Sequence, residues 1–146
     1  MRIVLDTNVL VSGLLSPFGP PADVVRLVAA GALRLGVDAR ILEEYRLVLA
    51  RPRFGFDAAR VAELLSQVDA DGVRGATQPL RLRLPDPDDE PFLEVALAVA
   101  ADALVTGNVR HFPSSRREGA RVLSPRAFVE EYRGRQGRSR SPTTRA

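Results

Sequence analysis

Cysteine, tryptophan and lysine are absent from this 146-residue chain, and only one histidine occurs. Without cysteine there is no disulfide framework and no thiolate metal site, which excludes a small disulfide-rich secreted scaffold and a zinc ribbon. The longest apolar stretch, residues 92–105, is too short to cross a bilayer and is interrupted by Glu94 and Asp102. No basic-then-apolar leader opens the chain. We therefore expect a cytoplasmic protein with no membrane span and no secretory signal.

Hydrophobic residues make up 45% of the chain and charged residues 27%, which suits one domain with a buried core. The net charge of +3 is unevenly distributed, because all 21 basic residues are arginines and five of them lie in the acid-free segment 133–146. Residues 1–132 therefore carry 16 arginines against 18 acids, a net charge of −2. We predict a folded domain over residues 1–132 and a disordered, arginine-rich tail over residues 133–146.

Short apolar runs alternate with segments of helical spacing, and this alternation predicts the fold class. Apolar runs predict strands at residues 2–5, 33–37, 103–105 and 121–123, with a weaker alternating candidate at 80–84. Helical spacing is found at residues 24–28, 41–49, 61–68, 92–101 and 127–132, whereas residues 13–21 are interpreted as a loop. Strands that alternate with helices indicate βαβ units. We predict a three-layer α/β/α fold with a mostly parallel central sheet.

Polar residues follow two of the predicted strands at the point where each strand ends. Asp6 and Asn8 come after the first strand, and Thr106 and Asn108 come after a later one. Ligands of open parallel sheets bind outside the carboxyl ends of the strands, so these side chains are the first site candidates.

Acidic residues also crowd the start of the predicted helix at 92–101. Four acids, Asp86, Asp88, Asp89 and Glu90, fall within five residues, which is more than capping a helix requires. Carboxylates gathered at strand and helix ends favour a site for Mg²⁺ or Mn²⁺.

One further acid is singled out by its position on a predicted helix. Glu43 and Glu44 point about 100° apart, and Glu44 lies closer to the apolar stripe while Glu43 lies farther toward solvent. His111 has no second histidine at metal-ligand spacing and is interpreted as a loop residue. No phosphate-binding Gly-rich loop followed by Lys-Ser or Lys-Thr is present.

These residues together match a known pattern, and the chain resembles the PIN domain family from Met1 to about Tyr132. Within that family it is similar to the bacterial toxins of toxin–antitoxin pairs, often called VapC-like. The motifs that carry the resemblance are Asp6-Thr7-Asn8-Val9-Leu10, Glu44-Tyr45, Asp86-Pro87-Asp88-Asp89, Val105-Thr106-Gly107-Asn108 and His111-Phe112-Pro113.

The resemblance implies an endoribonuclease that depends on Mg²⁺ or Mn²⁺. Asp6, Glu44 and Asp89 correspond to the metal-binding acids, and Asn108 falls where many members carry a fourth aspartate. A neutral amide binds a cation more weakly, which leaves open whether one or two ions are held and whether the chain is catalytically active. Supporting roles in this site are expected for Asn8, Asp86, Asp88 and Thr106.

The implied partners are an RNA substrate, a small antitoxin protein and a second copy of the chain. For a homodimer, the predicted helix over residues 57–67 or the one before it would supply the apolar contact. Arginines near the cleft are expected to hold flanking phosphates. The candidates are Arg40, Arg46 and Arg110, followed by Arg51 and Arg53.

Two alternatives stay open on the sequence. A phosphatase of the haloacid-dehalogenase type or a receiver-like domain also places an Asp after its first strand. The phosphatase pattern needs a second Asp two residues later, where this chain has Asn8, and both folds use a lysine, which this chain lacks. The other alternative is a PIN-like module that binds RNA or protein without catalysis, which Asn108 favours.

Overall fold

The computed structural model describes residues 1–140, with side chains described as far as residue 138. Four parallel strands form one sheet in the order β2-β1-β3-β4. The strands are β1 (Arg2–Leu5), β2 (Arg34–Leu35), β3 (Ala103–Val105) and β4 (Val122–Leu123). The α-helices of the described residues are α1 (Thr7–Leu15), α2 (Pro20–Ala29), α3 (Ala39–Leu49), α4 (Ala58–Asp71), α5 (Glu90–Ala98) and α6 (Pro125–Arg140). The predicted three-layer α/β/α architecture with a parallel sheet is confirmed.

The central strands β1 and β3 are apolar because both of their faces are covered by helices. Helices α3, α4 and α5 pack together on one side, and α1 and α2 pack with α6 on the other. Residues Ile3 to Leu5 of β1 and Ala103 to Val105 of β3 are buried, as expected for a parallel sheet covered on both faces. Leu5 pairs with Val105 in the sheet register. The residues that follow these two strands therefore emerge side by side at one edge of the sheet.

Three of the helices begin with a side-chain capping bond. The Asp38 carboxylate accepts a hydrogen bond from the backbone N–H of Ile41, and the Asp57 carboxylate accepts one from Ala59. The Ser124 hydroxyl accepts one from the backbone of Ala127 at the start of α6. Each bond satisfies an N–H group that the helix itself leaves unpaired.

Helix α1 is not predicted from the sequence, where residues 13–21 are interpreted as a loop. Three successive residues of α1, Val9, Leu10 and Val11, are buried, so no polar face marks the helical period. Gly13 lies inside this helix where α1 meets α2. A Cβ atom there would lie 2.5 Å from a Val25 methyl group and 2.6 Å from the Pro21 carbonyl oxygen. Gly13 is therefore a packing residue of the helix.

The strand predicted at residues 80–84 is wrong. The backbone N–H of Arg81 donates to the Glu118 carboxylate, and that of Leu84 donates to the Glu90 carboxylate. Side-chain carboxylates thus take the place of a neighbouring strand as partners for this backbone. The segment lies outside the sheet, and its alternating leucines do not share one buried face, because Leu84 is buried while Leu82 is exposed.

The predicted disorder of residues 133–146 is corrected for residues 133–140, which continue helix α6 to Arg140. The earlier turns of this helix are held by the buried side chains of Phe128 and Val129. Arg133 pairs with Asp23 of α2 at 3.3 Å, so helix formation also gains an ion pair. The rest of the predicted tail, residues 141–146, lies outside the described residues. In the part of the chain that the structure describes, no helix has the length and apolar character needed to span a membrane.

Candidate active site

The centre of the candidate site is Asp6, which is buried at the carboxyl end of β1. Its backbone N–H continues the sheet by donating to the Val105 carbonyl at 2.9 Å. The buried Thr106 hydroxyl, at the matching position after β3, donates to Asp6 Oδ2 at 2.7 Å. Burial raises the pKa of the Asp6 carboxyl, and the Thr106 hydrogen bond partly offsets this rise. The carboxylate is thus oriented by the sheet register and by one hydroxyl.

The loops that follow β1 and β3 are joined by a second contact. Asn8 Oδ1 accepts a hydrogen bond from the backbone N–H of Gly107 at 3.1 Å. The Thr106 hydroxyl also accepts one from the backbone N–H of Asn108 at 3.0 Å. Asn8 and Thr106 therefore fix the shape of the site edge, whereas Asn108 is solvent-exposed at its rim.

Glu44 is brought to the site by its neighbour on α3. Tyr45 is fully buried, and its hydroxyl donates to the Leu5 carbonyl at the end of β1. This bond fixes α3 against the sheet edge, so Glu44 lies beside the site while Glu43 is exposed, as predicted. The Thr7 hydroxyl, from the first residue of α1, donates to the Glu44 carboxylate.

The crowded acids before α5 perform different tasks. Asp86 accepts a hydrogen bond from the backbone N–H of Asp88 at 2.9 Å and caps the short 3₁₀ turn Pro87–Asp89. Glu90 accepts hydrogen bonds from Arg83 Nε and the Leu84 backbone N–H, both at 2.9 Å, and so fixes the preceding loop. Capping and loop anchoring therefore account for two of the four acids.

Asp89 has no such structural task. Its Oδ2 atom is buried and accepts no hydrogen bond from the described residues. His111 Nδ1 lies 3.3 Å from this oxygen, within ion-pair range when the imidazole is protonated but without hydrogen-bond alignment. A buried carboxylate oxygen without a donor costs free energy, so this atom is the clearest candidate for a missing ligand.

The three acids are close enough to interact electrostatically. Burial raises the pKa of Asp89 to about 6, with further contributions from the charges of Asp6, Asp86 and Glu44. Burial also raises the pKa of Glu44, and the charges of Asp6 and Asp88 add to that rise. Mutual elevation of carboxyl pKa values is what negative charges gathered in one place produce, and a bound cation would relieve it.

Two of these acids, Glu44 and Asp89, line a cleft of about 450 Å³ between α1, α3 and the loop before α5. Its lining includes Thr7, Asn8, Glu44, Arg51, Arg53, Phe54, Asp86, Asp88 and Asp89. A larger cavity of about 470 Å³ lies elsewhere, between α3 and α4, and is mainly apolar. The acid-lined cleft is the candidate site because it contains Asp89, whose Oδ2 atom accepts no hydrogen bond from the described residues.

The predicted phosphate contacts lie in three different settings. Arg40 pairs with Asp38 at 2.7 Å and with Glu94 at 2.8 Å. Arg46 pairs with its helix neighbour Glu43 at 2.5 Å. Arg110 is exposed, two residues after Asn108, and no ion pair joins it to the described side chains. Since Arg40 and Arg46 are engaged in ion pairs, the structure leaves Arg110 as the better placed of the three.

Comparison with known families identifies this arrangement. A family model for the PIN domain matches residues 2–110, three-quarters of the chain. The chain belongs to the PIN domain family. The matched segment of this PIN domain runs from β1 to the turn after β3 and so contains all the site candidates. PIN domains are typically nucleases, hydrolases of phosphodiester bonds, and usually use divalent metal ions. No curated protein shows significant sequence similarity to the chain.

The residues of this PIN domain fit a divalent ion with few direct protein ligands. Among the described residues, no three histidine or acidic side chains form a ready-made ligand set. Mg²⁺ commonly keeps several waters and binds through one or two carboxylates, so it does not require such a set. The unpartnered Asp89 oxygen and the elevated pKa values of the neighbouring acids are the observations that favour this fit.

Two residues of the site were not recognised as such in the sequence. Thr7 bonds to Glu44, and His111, interpreted as a loop residue, lies against Asp89. Both stand inside the motifs that carried the family resemblance, directly after Asp6 and three residues after Asn108. Their proximity to acids distant in sequence is a tertiary contact, which local spacing does not reveal.

Proposed function

We propose that this PIN domain is a divalent-metal-dependent endoribonuclease whose reaction centre is formed by Asp6, Glu44 and Asp89. The observation that carries the proposal is the buried Asp89 oxygen without a donor, in an open cleft shared with Glu44. Asp6 lies close enough to raise the pKa values of both other acids. Such a group of carboxylates is costly unless a cation neutralises it.

Each residue of the centre has a task that its setting supports. Asp6 and Asp89 would hold the ion directly, while Glu44, fixed by the Thr7 hydroxyl, would hold it or orient a water beside it. When bound, Mg²⁺ or Mn²⁺ supplies a nucleophile from water at neutral pH and neutralises charge that develops on the phosphate. Thr106 keeps the Asp6 carboxylate in one orientation throughout. Asn108, at the rim, would contribute an amide oxygen or orient water.

The finer role we propose is that of a cytoplasmic toxin inhibited by a small antitoxin protein. This role is supported by the resemblance of the site motifs to VapC-like toxins. A homodimer would be formed through α4, where Val61 and Leu65 border one apolar cavity and Leu64 borders another. Induced expression should arrest bacterial growth, and growth should continue when Asp6→Asn is expressed to the same level.

Cleavage assays with matched variants test the nuclease proposal. Purified full-length protein is incubated with total RNA in the presence of Mg²⁺, Mn²⁺ or chelator. We expect cleavage that requires metal and is abolished by Asp89→Asn and Glu44→Gln. The neighbouring change Glu43→Gln removes equal charge from an exposed position on the same helix and should leave most of the activity. Full activity of Asp89→Asn or Glu44→Gln would refute the assignment of the centre.

The second candidate function is a PIN module that binds RNA without cutting it. It is favoured by the neutral, exposed Asn108 at the rim, which leaves the site one charge poorer than four acids would make it. Replacement of Asn108 by Asp should tighten metal binding measured by calorimetry. Unchanged metal affinity would place this position outside the ligand shell. RNA binding with no cleavage under any metal condition would support the non-catalytic module.

A further inference from the structure

The turn that follows α3 lines the same cleft as the acids. This turn is the 3₁₀ helix Pro52–Phe54, which ends at Gly55 in the left-handed conformation with φ of 64°. Arg51, Arg53 and Phe54 line the same cleft as Glu44 and Asp89. The cleft lining therefore carries both positive and negative side chains, which differs from a site that only collects cations.

Among the described residues, Arg51 and Arg53 form no ion pair, whereas several other arginines do. Neither Arg51 nor Arg53 makes an ion pair or a side-chain hydrogen bond within the described residues. By contrast, Arg46, one turn earlier on α3, is held by Glu43. The charge of Arg51 lowers the pKa of Glu44 without forming a contact pair. An arginine near acids that remains unpaired is available for an anion from outside.

Arg53 is also held in place by aromatic packing. Its guanidinium lies over the Phe54 ring, 4.8 Å from the ring centroid. Phe54 in turn stacks on Phe56, with ring centroids 5.5 Å apart and planes inclined by 23°. Because the guanidinium rests on a supported ring, less side-chain entropy is lost when it binds a ligand. Phe54 is thus a positioning residue for Arg53.

We propose that Arg51 and Arg53 form a phosphate-binding subsite for the nucleic-acid backbone next to the cleaved bond. The inference rests on the proposed nuclease function and names the part of the site that holds its substrate. Guanidinium groups match phosphate oxygens in geometry and bind them through paired hydrogen bonds. The subsite sets how the backbone lies across Asp6, Glu44 and Asp89 and reads no base.

Salt-dependent binding tests this subsite separately from cleavage. A fluorescently labelled single-stranded RNA is titrated with full-length protein in the Asp6→Asn background, with Mg²⁺ present, at several salt concentrations. When an arginine no longer neutralises one phosphate of a single strand, the slope of log K against log salt falls in magnitude by about 0.7. We expect this reduction for Arg51→Gln and for Arg53→Gln, together with several-fold weaker binding at low salt.

Two further variants make the measurement specific. Arg60→Gln on α4 removes an exposed arginine that has no ion pair among the described residues and borders a different cavity, so it should leave the slope unchanged. Phe54→Leu should weaken binding through Arg53. Added to Arg53→Gln, it should then have little further effect, because the two residues act as one unit.

The outcomes separate this inference from the proposed function. If the unsubstituted protein cuts RNA but Arg51→Gln and Arg53→Gln do not change the salt slope of binding, the subsite proposal is wrong and the nuclease proposal stands. A parent that neither binds nor cuts RNA would refute the nuclease itself and the subsite with it. Single-stranded DNA of the same sequence should show the same slope changes. A change confined to RNA would overturn the phosphate assignment, because it would indicate a contact to the 2′-hydroxyl.

Discussion

Substitution of Asp89 by Asn should stabilise the protein while it inactivates the site. The carboxylate is held in a place where burial and neighbouring charges disfavour its ionised form, and its Oδ2 atom has no donor. An amide of nearly equal size removes that charge. We therefore expect Asp89→Asn to increase the free energy of unfolding at neutral pH when chelator removes divalent ions.

The size of the gain follows from the pKa of Asp89, which is raised from 3.8 to about 6. A difference of about two pKa units corresponds to about 3 kcal/mol. The side chain keeps 13% of its surface exposed, and solvent screening at such a position reduces the expected gain to about 1–2 kcal/mol. For a domain of this size that gain raises Tm by about 3–8 °C.

The effect of Asp89→Asn on the free energy of unfolding should depend on pH. Because the folded state binds this proton more tightly than the unfolded state, ionisation of Asp89 costs stability above pH 6, and the cost fades as pH falls from 6 to 3.8. The stabilisation by Asp89→Asn should therefore be largest above pH 7 and disappear near pH 4. Urea unfolding at pH 7.5 and 4.5 in chelator measures both values. A neutral or destabilising effect at pH 7.5 would refute the reasoning. The exposed neighbour substitution Asp88→Asn is the control and should change stability by less than about 0.5 kcal/mol.

Three further substitutions test the supports of the site by urea unfolding. Thr106→Val removes the buried donor to Asp6 and should lower the free energy of unfolding by about 1–3 kcal/mol, with a loss of metal-dependent cleavage. Unchanged stability together with unchanged cleavage would show that this hydrogen bond does not orient the carboxylate. Tyr45→Phe leaves the buried Leu5 carbonyl without its donor and should cost about 1–3 kcal/mol, whereas an unchanged midpoint would mean that packing alone docks α3. Gly13→Ala gains up to about 1 kcal/mol of helix propensity, but the added methyl group meets backbone atoms of α2. We therefore expect the free energy of unfolding to fall by about 1–3 kcal/mol. A raised Tm would contradict the close approach of α1 and α2.

The parts of the molecule that could be predicted from the sequence are those specified by local pattern. The strands around Asp6 and Thr106 are short apolar runs, and their polar successors mark the sheet edge where the site lies. The position of Glu44 beside the apolar stripe of α3 followed from helical spacing alone. Helix α1 could not be predicted in this way, because it is apolar on successive residues and its glycine is explained by contact with another helix.

Tertiary partners account for the other differences. The alternation at residues 80–84 is typical of a strand, but two of its backbone N–H groups donate to the carboxylates of Glu118 and Glu90. Glu118 is distant in sequence, and Glu90 was grouped with the acids before α5, so local pattern does not reveal either contact. Asp89 was distinguished from Asp86 and Glu90 by the family resemblance and not by local pattern, and the structure adds the physical difference that the other two acids accept backbone hydrogen bonds. Its unpartnered oxygen depends on what surrounds it, and the sequence does not contain that information directly.

The bond between Asp6 and Thr106 joins residues 100 positions apart, and this separation has a consequence for synthesis. During translation Asp6 emerges first, and the Thr106 hydroxyl that orients this acid emerges 100 residues later, just after β3. Strand β1 can pair with β2 before then, but its other edge stays open until β3 arrives. A nascent chain on the ribosome therefore lacks the hydrogen bond that orients Asp6 until β3 has been made. The order of strands in the sheet thus makes completion of the acidic site a late event of synthesis.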